Sequence, residues 1–421
     1  MQATFQKILS LVDRWFTLQD TAPARRADLD WLRILAFGLL IFYHIGMLYV
    51  ANWGYHVKSS YSSETLQSVM LLVNPWRMPV LWLVSGIAIR FVMTKVSVWR
   101  YVGLRSVRLL LPLFFAILVI VPPQLYYEMT FNGDLSVSYL EFYRAFFDLN
   151  HPMFEGYQAG VWPHMDVNHL WYLRELWLFS MYLLLLMPVL NSGRMKSSLD
   201  WLSRQNGIFI VLLVLTPIWV LELTVDDNRE QIGFTFLIYG YLLGWHEGFW
   251  ERLKQAWRPM LLLALASYVV LVFVYNQFYV HQPEPREDWL QISAGLIYGF
   301  CRVVWPIAIL GLSASFLNRP SKRLAYFNEA VYPYYILHQT IIIVAFSQLS
   351  RFELGPVVEP LMVIALTITG CALGFELVRR VNVLRPLFGL KVKASTPYQL
   401  KRVGYALAVL VVVPFAVEVL V

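Results

Sequence analysis

The sequence predicts an all-α protein: a polytopic transmembrane helix bundle with ten core spans and an added eleventh span at the C-terminus. Three observations carry this reading. The composition is far from that of a soluble domain, the apolar runs have bilayer length, and the basic residues sort onto alternate loops. Of the 421 residues, 58% are hydrophobic and 14% charged, whereas soluble domains carry about 25% charged residues. Runs of about 20 apolar residues suffice to cross a hydrocarbon core of roughly 30 Å. Such runs fall at 30–51, 66–93, 106–127, 170–190, 207–224, 231–248, 259–280, 290–316, 331–349, 357–378 and 403–420. Little sequence is left between them for a soluble domain.

The loops then separate by charge. One set holds 24 basic residues, among them Arg25, Arg26, Lys95, Arg105, Arg108, Lys322 and Arg385, and the opposite set holds Lys58, Arg144, Arg229, Arg286 and Arg351. By the positive-inside rule the first set is cytoplasmic, which puts the N-terminus inside. Segment 1–28 is read as a cytoplasmic N-terminal segment, 29–393 as the membrane domain and 403–420 as an extra C-terminal helix. Segment 1–28 lacks a compact apolar core with a cleavage site, so it is no signal peptide. Residues 6–18 fit a short amphipathic helix on the membrane surface. The net charge of +7 is accounted for by the cytoplasmic loops, and no nucleic-acid partner is expected. Cys301 and Cys371 both lie in apolar runs, so neither a disulfide framework nor a metal site is indicated. The histidines show no metal spacing. The longest connection, 128–168, falls on the outer side. Its acidic and aromatic residues suit an interfacial lid or a plain connector.

Ionisable residues at bilayer depth cost several kcal/mol and mark a pathway or a site. The first span holds Arg33 and His44. Eleven residues at 100° each bring them within about 20° of one face, roughly 16 Å apart along the axis. Taken singly, Arg33 also fits a snorkelling anchor and His44 a satisfied bundle histidine. Arg77 lies in mid-span beside Asn74 and Pro75, and Arg90 follows near the cytoplasmic end. Arg105 and Arg108, one turn apart, form a basic pair that positive-inside anchoring also explains. Guanidinium groups bind phosphate in bidentate fashion, so arginines on that side suit a phosphate-rich ligand. His169 and Trp171 open the fourth span, Tyr335 and His338 lie in the ninth, and Glu175 is a carboxylate at span depth.

These residues resemble the acyltransferase type 3 family of membrane O-acyltransferases. The resemblance rests on Leu29-Asp30 before Arg33 and His44, which have ten residues between them, and on Arg77-Met78-Pro79 leading to Ser85-Gly86. It continues in Arg105-Ser106-Val107-Arg108 before Pro112, in His169-Leu170-Trp171-Tyr172-Leu173, and in Tyr334-Tyr335-Ile336-Leu337-His338. The run Arg385-Pro386-Leu387-Phe388-Gly389 is similar to the branch containing the periplasmic-glucan succinyltransferase. The resemblance covers about 28–393, and the span at 403–420 departs from it.

The resemblance implies transfer of an acetyl- or succinyl-type group from cytoplasmic acyl-CoA, a co-substrate and no bound cofactor, to a hydroxyl of a carbohydrate or glycan. It implies a multi-pass protein of the bacterial inner membrane. His44 and Arg33 are the expected catalytic residues, with a histidine near neutral pKa suited to deprotonate an alcohol. Arg77, Arg90, Arg105 and Arg108 are expected to hold the donor. His169, Trp171, Glu175, Tyr335 and His338 are expected around the acceptor or behind His44. A secondary transporter of an anionic or lipid-linked solute is the alternative; the lack of internal repeats counts against it. A non-catalytic receptor is a further one.

Overall fold

The computed structural model describes residues 26–148, 150–157, 167–244, 246–280 and 287–391. The surface helix expected at 6–18 and the span expected at 403–420 lie outside the described residues. In chain order the helices are α1 (Ala27–Met47), α2 (Glu64–Leu71), α3 (Arg77–Met93), α4 (Val98–Val119), α5 (Pro122–Asn132), α6 (Tyr139–Ala145), α7 (Trp171–Leu190) and α8 (Gly193–Leu202). There follow α9 (Gly207–Thr224), α10 (Arg229–Leu243), α11 (Glu247–Val274), α12 (Asp288–Phe316), α13 (Lys322–Leu349), α14 (Gly355–Arg380) and α15 (Leu384–Leu387). No strand occurs among the described residues; Val50 and Ser63 form an isolated bridge.

Eight helical segments are long and apolar enough to cross a membrane: α1, α4 running on into α5, α7, α9, α11, α12, α13 and α14. Two expected core spans resolve into shorter helices. The run at 66–93 breaks between α2 and α3, leaving α3 with 17 residues. Pro75 disfavours helical backbone at Asn74 and brings no N–H of its own. The turn is held by Trp76 Nε1, which donates to Leu72 O at 2.6 Å. The run at 231–248 gives α10, with 15 residues.

The described chain divides into two compact units. The first takes the start of α1 up to Ala36, Thr65–Tyr101 and Phe179–Leu324. Within it α3 and α10 cross with backbones in contact. A Cβ added to Gly86 would stand 2.0 Å from Leu237 O, and one on Gly240 would stand 2.0 Å from Leu83 O. Membrane helices gain van der Waals packing by such close approach, which only small residues permit. Four consecutive residues of α3, Leu81 to Val84, are buried, so this helix is covered on every side. The unit also holds a half-buried ion pair, Arg302 to Glu222 at 2.8 Å, with Asn228 hydrogen-bonded to Glu222 at 3.0 Å.

The second unit takes Phe37–Glu64, Val102–Leu178 and the described residues from Ala325 onward. Here the loop after α1 is tied down at several points. Lys58 Nζ donates to the carbonyls of Met47, at 2.9 Å, and Val50, satisfying groups that the end of α1 leaves over. Ser59 Oγ donates to the buried Glu359 of α14 at 2.7 Å. Ser63 N closes the loop on Tyr49 O at 2.7 Å. After α5, the α6 segment packs as an aromatic cluster of Tyr126, Tyr139, Phe142, Phe146 and Phe154.

Gly86→Ala should lower the thermal unfolding midpoint in detergent, because overpacking costs about 1–3 kcal/mol. Gly38→Ala, with nothing within 4 Å of its added Cβ, should not. Equal midpoints for the two variants would contradict the close crossing.

Candidate active site

Three histidine-bearing segments of the second unit converge on α13, which carries a fourth histidine. His44, three residues before the end of α1, meets His338 of α13, Nδ1 to Nε2 at 2.9 Å. The two rings stack with centroids 5.0 Å apart. His338 is fully buried, and its Nδ1 meets the Tyr335 carbonyl at 2.7 Å. A carbonyl only accepts, so the hydrogen sits on Nδ1 of His338. Neutral His338 therefore presents a lone pair at Nε2, which takes the Nδ1 hydrogen of His44. With its hydrogen on Nδ1, a neutral His44 carries its lone pair on Nε2. That is the tautomer a general base requires.

His169 uses both nitrogens inside the fold. Its Nε2–H donates to Ile336 O at 3.2 Å, and Nδ1 faces Gln124 Nε2 at 3.4 Å. Its own carbonyl accepts from the Tyr335 hydroxyl. Tyr335 in turn packs edge-on against Phe37 at 5.4 Å and Tyr172 at 6.1 Å. These rings fix the rotation of α13 and thereby the position of His338.

Beside this chain lies a second polar network that the sequence reading did not single out. His56, in the loop after α1, meets Glu128 of α5, Nδ1 to Oε2 at 2.6 Å. Each of these side chains is about one-fifth exposed (23% and 21%). His56 Nε2 lies 3.0 Å from Gln339 Nε2 and 3.2 Å from Asn168 Oδ1. With its Nδ1–H donating to Glu128, a neutral His56 accepts at Nε2 from the Gln339 amide. Gln339 also donates to Asn168 Oδ1 at 2.7 Å, and Asn168 Oδ1 accepts from the His169 amide at 2.7 Å. Asn168 thus serves two donors through Oδ1, the Gln339 amide and the His169 backbone N–H, beside the His56 ring. It holds a left-handed backbone with φ +49°, a conformation that asparagine tolerates better than most residues. Trp53 and Tyr55, half-buried, line the same loop.

The remaining expected residues distribute as follows. Arg105, half-buried, and Arg108, exposed, lie on α4 in this same unit. Next to Arg105, Ser106 Oγ accepts from Trp177 Nε1 at 3.0 Å. Trp171 begins α7, its amide bonded to Asn168 O. Glu175 is buried and holds the neighbouring Arg174 at 2.8 Å. Arg33, Arg77 and Arg90 fall in the first unit. Arg33 pairs with Asp30 at 3.8 Å. Arg77 donates to Asn74 O at 2.8 Å and to the Asn74 side chain. Arg90, only 3% exposed, donates to Asn191 Oδ1 at 2.6 Å and lies over the Tyr241 ring. No group of three or more metal-ligating side chains occurs among the described residues.

The profile of a protein family described as an acyltransferase domain matches residues 26–376. No curated protein and no solved structure matches the chain.

Asn168→Ala should destabilise the protein by about 3 kcal/mol, from stranded donors and left-handed backbone at a residue with a Cβ. Asn168→Gly should recover only the backbone part. Denaturant unfolding of the three chains in one detergent measures this, and equal stabilities would remove Asn168 as the hub.

Proposed function

The chain belongs to this acyltransferase family, and from that membership we propose that it moves an acetyl- or succinyl-type acyl group from cytoplasmic acyl-CoA to a hydroxyl of a carbohydrate or glycan. Membership makes it a membrane acyltransferase and favours group transfer over solute transport. The observation that carries the finer reading is the 2.9 Å bond between His44 and His338.

His44 Nε2 takes the proton of the acceptor hydroxyl as its oxygen attacks the thioester carbonyl. The imidazolium that forms keeps its Nδ1–H on His338, whose own Nδ1–H stays on the Tyr335 carbonyl. When the tetrahedral intermediate collapses, the thiolate leaves with the proton from His44. Histidine's ordinary pKa of about 6.5 suits both directions of that transfer.

Arg105 and Arg108 hold the donor's phosphates, and Arg33 lies eleven residues before His44 on α1. The interval of roughly 16 Å along α1 is of the order of an extended pantetheine arm. Arg77 and Arg90 also have amide partners within their own unit, which gives them a local structural task. The amides, imidazole and carboxylate of Gln339, Asn168, His56 and Glu128 suit a polyhydroxylated acceptor, as do the half-buried rings of Trp53 and Tyr55. We assign ten core spans and a cytoplasmic N-terminus in the bacterial inner membrane. The helices α3 and α10 count as short spans in that scheme, and the charge asymmetry of the loops supports the orientation.

Purified protein carrying His44→Ala should bind acyl-CoA and transfer nothing; unchanged turnover removes His44 from the chemistry. His338→Gln should lower kcat by about 100-fold with both KM values kept. A rise in acceptor KM alone would reassign His338 to binding.

Arg105→Ala should weaken acyl-CoA binding by about tenfold, the worth of one charge-assisted hydrogen bond. The dissociation constant measured by calorimetry decides, and an unaltered value counts against the phosphate role.

A further inference from the structure

Tyr55 stands against His44, ring centroids 6.4 Å apart, and against His56 at 5.1 Å. Its hydroxyl oxygen is buried and has no hydrogen-bond partner among the described residues. Native structures retain few such groups, because a buried hydroxyl loses its water and gains nothing in exchange. Phenylalanine would keep the same ring contacts without that penalty. The loop gives the phenol little freedom to turn away: Val57 is buried at 1% exposure, Lys58 is tied to the end of α1, and Ser59 is tied to Glu359.

We propose that the Tyr55 hydroxyl is a catalytic hydrogen-bond donor, aimed at the carbonyl oxygen of the bound thioester next to His44. The assignment rests on the acyl-transfer reading and adds to it the group that receives the negative charge. The acceptor oxygen forms a bond to the carbonyl carbon as its proton passes to His44 Nε2. The carbonyl π electrons move onto oxygen, and the Tyr55 O–H donates to that oxyanion without giving up its proton. The C–S bond then breaks, the carbonyl reforms, and the thiolate takes the proton from His44. Burial, and after it the charge of Glu128, push the Tyr55 hydroxyl far above its ordinary pKa. The phenol therefore stays protonated and serves as a donor rather than as a base.

A packing role and a catalytic role predict opposite results for Tyr55→Phe. Removing an unpartnered buried hydroxyl leaves the folded state as stable or more stable. Removing an oxyanion donor lowers kcat by about 10²–10³-fold. The full chain in detergent is given carbonyl-labelled acetyl-CoA or succinyl-CoA with a panel of glucose oligosaccharides. Tyr55→Phe should cut kcat at least 100-fold with both KM values and the melting temperature retained. Independently of any acceptor, the labelled carbonyl band of the bound donor should lie at lower frequency in the wild type than in the variant.

A wild type that transfers, with a variant equally fast, overturns the Tyr55 assignment alone. So does a bound carbonyl band that is the same in both proteins, or a loss of kcat accompanied by a lower melting temperature. A wild type that binds no acyl-CoA overturns the donor reading, and the assignment falls with it.

Discussion

The bond from His44 to His338 constrains much of the second unit. It demands that two helices separated by most of the chain bring their imidazoles to one depth and one rotation. The depth follows from where the helices start. His44 lies 17 residues after Ala27, and His338 lies 16 residues after Lys322. At 1.5 Å per residue both sit about 25 Å up their helices. The rotation follows from Tyr335, one turn before His338, which is held by its hydroxyl on His169 O and by the rings of Phe37 and Tyr172. Errors of one residue in either helix would swing an imidazole through 100° and break the contact.

That same rotation lets α13 serve two networks at once. His338 and its neighbour Gln339 point about 100° apart. The first turns to His44, and the second to His56 and Asn168. One helix register therefore sets the tautomer of His44 and also the spacing of the polar groups around His56. Asn168 ties the start of α7 to that register, since its side-chain oxygen takes donors from α13 and from its own chain and lies against His56 of the loop after α1. The left-handed backbone there is held by two side-chain hydrogen bonds, and such a conformation persists where the surroundings hold it.

Much of this was legible in the sequence, and the remainder was hidden for identifiable reasons. Apolar runs announce helices, so all-α architecture and most span positions could be read directly. The short α3 reads as a full span because hydropathy does not register a break at Asn74-Pro75, whereas the run that gives α10 is already short in the sequence. His44 stood out because an imidazole in an apolar run is conspicuous. His338 stood out too, but its depth did not. The apolar stretch starts near Val331, whereas α13 starts at Lys322, in a polar segment that hydropathy ignores. His56 and Glu128 were not singled out. Both belong to connections where polar residues are ordinary, and they meet across 72 positions of sequence. Only the folding of the loop after α1 brings them together. Cys301 and Cys371 are both buried.

The loop from 48 to 63 is where stability and chemistry are balanced against each other. Its anchors are strong for their size: a lysine on two helix-end carbonyls and a serine on a buried glutamate. They hold Tyr55 against His44 even though its hydroxyl gains no partner. A loop selected for stability alone would leave that position apolar. Three local costs thus gather within a few residues of one imidazole: an unsatisfied phenol, a left-handed asparagine, and a histidine buried on a histidine. Local rules are broken together where function is the compensating gain. On this view the surrounding anchors are part of the site, because without them each of these groups would relax to a more favourable position and His44 would lose its surroundings.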